Sequence, residues 1–540
     1  MGGPAAAISE PSEGSWGLPR WKTSGPFSAL GPYPAENAGF CEGETDWIAK
    51  PAGEGWQLLV DDAALPTCAD DPTRWTWTPG FFAGEVTAVL VNGHGETVAR
   101  YLLDVAPSPE KSGRRAFDEM VADLRDLEPA LLAGTEPPTL ASGAVGRYTD
   151  PMVEFARLRR IAPDLLRALD QIRSHPIRAL RVDRAHLPVN RIRRVDRATA
   201  LTALRDPSAL AFLGRHEEES AESARPPRLN VPLIEETHDS AANRCLVALG
   251  RGIVRRARSI STRFEVQIQR IDDQATRTDM SERWKVRKAI LADLERRMVG
   301  LLRRSPFRDV TRSEITAAGL NAIAAHPMYA RAWRLGWKAM RPGVAGETLD
   351  DRMWTSPTWE TYERWCFARL ASDLAAARAD LAWTGVEFGV HGADARAVGE
   401  GPGEIIEILF QPSFSRRTAS PADSFRSIAK ARYPDIVITH QAGADRRFVV
   451  LDAKYRVSRA NVVDAMDSAH LYHDALRWGD ERPSASLLLV PRGGGASWLE
   501  DPGFRREHGV GVVALSVGSE RGRLVAELGL KAEQSKSTSA

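Results

Sequence analysis

Lysine is almost missing from this chain of 540 residues: ten stand against 62 arginines. A lysine beside an acid is therefore a rarer event here than in an average sequence. Cysteine is as scarce, with four, at positions 41, 68, 245 and 366. No C-x-x-C pair occurs, which argues against a zinc site and a disulfide framework and for a reduced, cytoplasmic setting. No apolar run approaches the ~18 residues of a membrane-spanning helix, so no membrane partner is expected. The opening "MGGPAAAISEPSEGSW" has neither the basic nor the apolar region of a signal peptide. Ala6 stands where N-myristoylation needs Ser or Thr. An excess of one charge sign is missing too, the formal balance being +1 at pH 7, so any nucleic-acid contact has to come from local patches. No G-x-x-x-x-G-K-[ST] occurs, which excludes P-loop nucleotide hydrolysis by this chain. No helix-turn-helix, zinc-finger or basic-zipper pattern offers sequence readout.

What is there reads as several domains, since the length exceeds one hydrophobic core. Hydrophobic content of 43% and charged content of 26% are those of a globular protein. Residues 1–45, rich in Gly, Pro, Ala and Ser, read as a loose segment. Residues 46–140 read as a β-rich domain: "GWQLLV" is a strand, and "EVTAVLVNGHGETVARYLLDV" is a hairpin closing on Asn92 to Gly95. A helix follows over 114–127, apolar at Phe117, Met120, Val121 and Leu124. Residues 141–345 read as a helical, arginine-rich middle region. Between Arg157 and Arg205 there are 13 Arg and four Asp. That stretch is either a solvated helical face or a contact surface. Residues 350–520 read as a compact α/β unit in the order helix, strand, hairpin, helix, strand, strand. Its first helix opens at Ser356-Pro357, with Ser356 as N-cap and Pro357 as first helical residue. Residues 521–540 read as a tail.

The stretch "RYPDIVITHQAGADRRFVVLDAKY", Arg432 to Tyr455, carries the chemistry. Two apolar runs flank a turn at Gly443, and each ends in an acid, Asp435 and Asp452. A turn symmetric about Gly443-Ala444 places Thr439 opposite Phe448 and Asp435 opposite Asp452. Opposed residues have Cβ atoms about 5 Å apart. Side-chain alternation puts Lys454 on the same face as Asp452. Two carboxylates so close resist ionising together unless positive charge lies between them. Lysine supplies one unit, and a divalent Mg²⁺ or Mn²⁺, suited to hard oxygen ligands, supplies two. The plainer reading is a strand-end ion pair and a turn residue. Against it, each acid abuts an apolar run and lysine is rare.

A third acid lies upstream. The helix after Ser356 has the apolar stripe Trp359, Tyr362, Cys366, Phe367 and Leu370, and Glu363 falls inside it. Such a glutamate is a metal ligand, a group snorkelling at the stripe's edge, or one paired with a structural arginine. In "ANVVDAMDSAHLYHDALRW", Val462, Met466, Ala469, His473 and Leu476 share one face. His473 reads as a core histidine, and His470 and Tyr472 as candidate substrate-positioning groups.

Together, "YERWCF", "YPDIVI", "VVLDAKY" and "HLYHDAL" resemble the nuclease domain of McrC-like proteins, members of the PD-(D/E)XK nucleases. "TPGFFAGEVTAVLVNGHG", "VAPSPEK" and "THDSAANRC" resemble upstream parts of the same proteins, so the resemblance spans most of 75–490. It departs at Ser468, where some relatives carry Gln, and at Ala242, where Glu is usual. The resemblance implies a multidomain α+β protein with a C-terminal α/β restriction-endonuclease-like domain. It implies an Mg²⁺-dependent endodeoxyribonuclease in a restriction or phage-defence system. Asp435, Asp452 and the Ala453 carbonyl would hold the metal, Lys454 would act on water or phosphate, and Glu363 would ligate through water or a second ion. A McrB-like AAA+ GTPase or ATPase on a separate chain would supply the motor and target recognition. The arginine-rich segment would then contact DNA phosphates or that partner. The alternative is a non-catalytic adaptor that binds and stimulates an AAA+ partner.

Overall fold

A computed structural model of the chain describes residues 16–22, 28–127, 129–148, 151–213, 226–272, 280–341, 344–388, 395–416, 425–493 and 495–531. The chain divides into two compact units. One comprises Met1–Val153, Thr278–Val286 and Pro342–Ala540, and the other Glu154–Arg277 and Arg287–Arg341. No helix among the described residues is long and apolar enough to cross a membrane.

In the first unit, residues 1–15 and 23–27 of the expected loose segment lie outside the described residues, and the remainder contains strands. Leu18–Lys22, Ser28–Leu30 and Glu36–Cys41 are strands. They are short, and each buries one or two anchors, Leu18, Leu30 and Phe40. Gly and Pro in this stretch punctuate strands rather than dissolve them. Arg20 locks the turn of the chain, donating to buried Asp46 at 2.8 Å while its guanidinium lies over the Phe40 ring at 3.4 Å.

The expected hairpin is present. Gly84–Val91 pairs antiparallel with Thr97–Ala106, and Asn92 Oδ1 closes the turn by accepting from the His94 and Glu96 amides at 3.0 and 2.9 Å. The strand "QLLV" (Gln57–Val60) adds beside it. The helix Gly113–Leu127 buries Phe117, Met120, Val121 and Leu124, the four positions that its periodicity marks.

The C-terminal part of the same unit holds an eight-stranded sheet. Its main path runs Ala382–Trp383, Ala395–Gly401, Glu404–Phe410, Ile436–Ala442, Asp445–Ala453, Ala485–Val490, Val510–Ala514. Pairing is antiparallel as far as Asp445–Ala453 and parallel beyond it. The helix Thr358–Ala377 packs on this sheet. Its outer side is covered by Gly113–Leu127, whose apolar residues join one core with Tyr362, Trp365, Phe367, Leu370, Ile438 and Leu451. Covering both sides makes the helix buried almost all round, and Trp365 Nε1 donates to Asp123 at 2.8 Å.

Two details of that helix differ from expectation. It starts at Thr358, and Pro357 is the cap residue with no side-chain cap bond. Ser356 does not cap it, because its hydroxyl is taken by Arg364 two turns on. Trp359 lies outside the buried stripe, 43% exposed, and Trp365 fills the core instead.

The chain end also differs from the expected tail. Arg523–Glu527 is helical, and Leu524, Val525 and Leu530 are buried in the same core. Residues 532–540 lie outside the described residues.

The second unit is helical through Pro151–Ser174, Ala241–Asp272, Ala317–Ala324 and Pro327–Met340. The arginine-rich stretch is not helical throughout. Ala179–Pro188 pairs with Arg228–Thr237 in a two-stranded antiparallel ribbon. Within "THDSAANRC", Asn243 is a structural clamp. It donates to the His238 and Ile177 carbonyls at 2.7 and 3.1 Å and accepts from the Tyr329 hydroxyl at 2.8 Å.

Candidate active site

The hairpin Ile436–Ala442 and Asp445–Ala453 has the register read from the sequence: Thr439 opposes Phe448 and Ile436 opposes Leu451. Gly443, at φ +59°, supplies the left-handed residue of the turn. One step beyond Ile436–Leu451 stand Asp435 and Asp452. The Asp445–Ala453 strand is where pairing changes from antiparallel to parallel, and the acids sit at its carboxyl end.

Both acids are buried, Asp435 at 9% and Asp452 at 1% exposure. Lys454 Nζ bridges them, 2.9 Å from Asp452 Oδ1 and 3.4 Å from Asp435 Oδ2. The Ala453 amide donates to Asp435 Oδ2 at 2.8 Å. Ser468, on the helix Arg459–Ala475, lies with its hydroxyl 2.8 Å from Asp452 Oδ2 and 2.7 Å from the Ala465 carbonyl. Glu363 is 6% exposed, and its Oε2 is buried with no hydrogen-bond partner.

The electrostatics follow from crowding acids in a dry place. Burial, then the charge of Asp452, pushes Asp435 up to about 8. Burial, then the charge of Asp435, pushes Glu363 up to about 9. Burial opposes the Lys454 ammonium, but Asp435 and Asp452 outweigh it and raise its pKa. One lysine is thus too little positive charge for three acids, and without further positive charge the site favours the protonated forms of Asp435 and Glu363.

Among the described residues, no group of three or more His, Cys, Asp or Glu stands close enough to hold a metal. The lysine occupies the contact between the two aspartates. The chemistry of the donors, though not their spacing, suits a hard divalent cation. The set offers three carboxylates in excess of their counter-charge, one with an orphaned buried oxygen, and a neighbouring backbone carbonyl at Ala453.

The other predicted residues separate. His470 is exposed. Tyr472 is half-buried against Phe414, Val437 and Phe448. Burial, then the charges of Asp452 and Asp435, pushes its hydroxyl up to about 12, so it stands within electrostatic reach of the cluster. His473, read as a core histidine, is only half-buried and meets Asp474 at 3.4 Å.

Two residues were missed as site groups. Ser468 was noted only as a departure, although it stands one helical turn before Tyr472. Arg432, three residues before Asp435, has its backbone pinned to Phe414 by bonds of 2.9 and 3.0 Å. Its Nε is buried without a hydrogen-bond partner, and its charge acts on Tyr472.

Comparison with known proteins matches two segments of the chain. The model of a domain of unknown function, DUF2357, matches residues 86–320. The PD-(D/E)XK nuclease superfamily model matches residues 360–486. No curated relative matches the chain. Among solved structures, an assembly of Thermococcus gammatolerans McrB AAA+ hexamers with bound McrC is similar at 12% identity and a TM-score of 0.18, covering 73% of this chain and 71% of that one. Glu363, Arg432, Asp435, Asp452, Lys454, Ser468 and Tyr472 all fall inside the second matched segment, and the C-terminal part of the chain is a domain of the PD-(D/E)XK nuclease superfamily.

Proposed function

We propose that the chain is a metal-dependent DNA endonuclease subunit of a McrBC-like restriction or phage-defence system, working in the cytoplasm with a separate AAA+ NTPase. The observation that carries this reading is the convergence of Asp435, Asp452 and Lys454 at one end of a buried hairpin, inside a nuclease-superfamily match. An adaptor has no need of three acids held against one lysine in a dry site, where uncompensated charge costs several kcal/mol, on the order of a whole domain's stability.

The residues divide the work. Asp435, Asp452, the Ala453 carbonyl and Glu363 would hold Mg²⁺ or Mn²⁺. The ion, when bound, polarises the scissile phosphate and lowers the pKa of a water. Lys454 orients the attacking water or holds the charge that builds on the phosphate. Ser468 fixes the carboxylate of Asp452. Arg432 would donate to a DNA phosphate, and Tyr472, on which its charge acts, would stand beside it. In-line attack leaves a cleaved phosphodiester.

The partner assignment rests on the motifs that resemble McrC-like proteins. The test is plasmid nicking in Mg²⁺, with and without an AAA+ partner encoded nearby. Nicking by the wild-type chain that Asp452→Ala abolishes supports the reading. Equal nicking by both variants refutes it.

A further inference from the structure

Two stretches singled out in the sequence, "TPGFFAG" and "VAPSPEK", have no part in the acid cluster, yet they meet at one place. The Phe81 carbonyl, in the first, accepts from the Thr358 amide at 2.8 Å. Lys111, in the second, pairs with Glu42 at 3.1 Å, and its ammonium lies 4.9 Å from the centroids of both the Phe81 and Tyr455 rings. The Glu42 side chain is 1% exposed. Its other oxygen accepts from the Thr358 hydroxyl at 2.7 Å. Ser112 shares a hydrogen bond with the Tyr455 hydroxyl. Arg492 closes the group from the nuclease side, donating to the Lys111 and Pro109 carbonyls at 2.9 and 2.6 Å.

The two ends of this network matter. Thr358 is the first residue of the helix that carries Glu363, five residues or ~7.5 Å along the axis. Tyr455 directly follows Lys454, and its ring packs on Tyr362, the neighbour of Glu363, at 5.4 Å between centroids. A buried carboxylate, an ammonium and a hydroxyl from the turns that follow Glu36–Cys41 and Thr97–Ala106 thus grip the residues that flank both Glu363 and Lys454. Charge-assisted contacts of this kind are short and directional, and misplacing a reacting group by about 1 Å costs ~10²-fold in rate.

We infer that Glu42, Lys111 and Ser112 are positioning residues of the nuclease, so that the turns leaving these N-terminal strands are a working part of the cleavage site. This rests on the nuclease reading above. None of the three faces the acids, and they act through Thr358 and Tyr455.

The test uses the full chain with Lys111→Met, Lys111→Arg and Ser112→Ala. The methionine keeps the stem and removes the charge, the arginine keeps the charge, and the alanine removes one hydroxyl bond without touching the buried ion pair. Amide hydrogen exchange over 358–366 and 453–457 reads the positioning directly, whether or not the protein cuts. Faster exchange there in Lys111→Met and Ser112→Ala, with the wild-type pattern kept in Lys111→Arg, is the expected result. Unchanged exchange in both loss variants overturns the inference. In plasmid nicking, kcat is expected to fall at least about tenfold in Lys111→Met, with KM for DNA unchanged and most of the rate retained in Lys111→Arg. A kcat equal to wild type in Lys111→Met also overturns the inference. Failure of the wild-type chain to cut would count against the nuclease reading, and the exchange data would still decide this one.

Discussion

Ser468 places its hydroxyl 2.8 Å from Asp452 Oδ2. Its single proton has two acceptors, Asp452 and the Ala465 carbonyl. The ionised carboxylate is the stronger of the two. Ser468→Ala should therefore lower the cleavage rate by roughly 10-fold, the equivalent of the ~1.5 kcal/mol of one hydrogen bond to a charged group. Initial rates of plasmid nicking at saturating Mg²⁺ check this, and Ser468→Thr should retain most of the activity.

Lys454→Ala should abolish cleavage while Mg²⁺ still binds, because the lysine is a neighbour of the acids and not a ligand. Calorimetric titration of Mg²⁺ tests the distinction. Affinity lost as fully as in Asp452→Ala would contradict the assigned role.

The metal-free protein should lose stability as pH rises. Asp435 and Glu363 have folded-state values raised to about 8 and about 9. Between the ordinary carboxylate range and those values the folded state binds more protons than the unfolded one. The slope of stability against pH is then negative. The contribution is fully present in acid, below the ordinary carboxylate range. It is lost as pH climbs through about 8 and 9. Thermal melts at pH 6 and pH 9 with chelator should show the drop, and Mg²⁺ should remove most of it while releasing protons.

Arg432→Ala should weaken DNA binding and reduce the salt dependence by about one unit of slope, with folding unaffected. Fluorescence anisotropy with Ca²⁺ in place of Mg²⁺, across a salt series, measures both.

A division of the chain near residue 346 into a partner-binding half and a cutting half runs against the packing. A fragment starting at Asp350 lacks Gly113–Leu127, whose Phe117, Met120, Val121 and Leu124 share the nuclease core. Burial of four such side chains is worth about 6–12 kcal/mol, as much as the whole stability of a domain. That fragment should therefore be protease-sensitive and show no cooperative melt, whereas a version that retains residues 36–153 should melt cooperatively. Limited proteolysis and circular dichroism decide between them.

Legibility in the sequence followed local pattern. The hairpin, its register and the pairing of Asp435 with Asp452 were readable, because alternation and a glycine turn fix them within about 20 residues. Glu363 was readable as an acid inside an apolar stripe. The contact of Trp365 with Asp123 was not, since it joins helices 242 positions apart and neither helix carries a sign of its partner. The ribbon Ala179–Pro188 was hidden because its burial does not alternate: Leu180 and Val182 are exposed beside Arg181 and Arg184, so no inward apolar face marks a strand. The strands before residue 45 were hidden because each is too short to show a period.

The most direct test of the central claim is Mg²⁺-dependent cleavage of plasmid DNA by the wild-type chain and by Asp452→Ala, each with the proposed AAA+ partner present. The account predicts nicking or linearisation by the wild type, lost on chelation, and none by Asp452→Ala even though it melts at or above the wild-type temperature without metal. Cleavage by Asp452→Ala at the wild-type rate would contradict it.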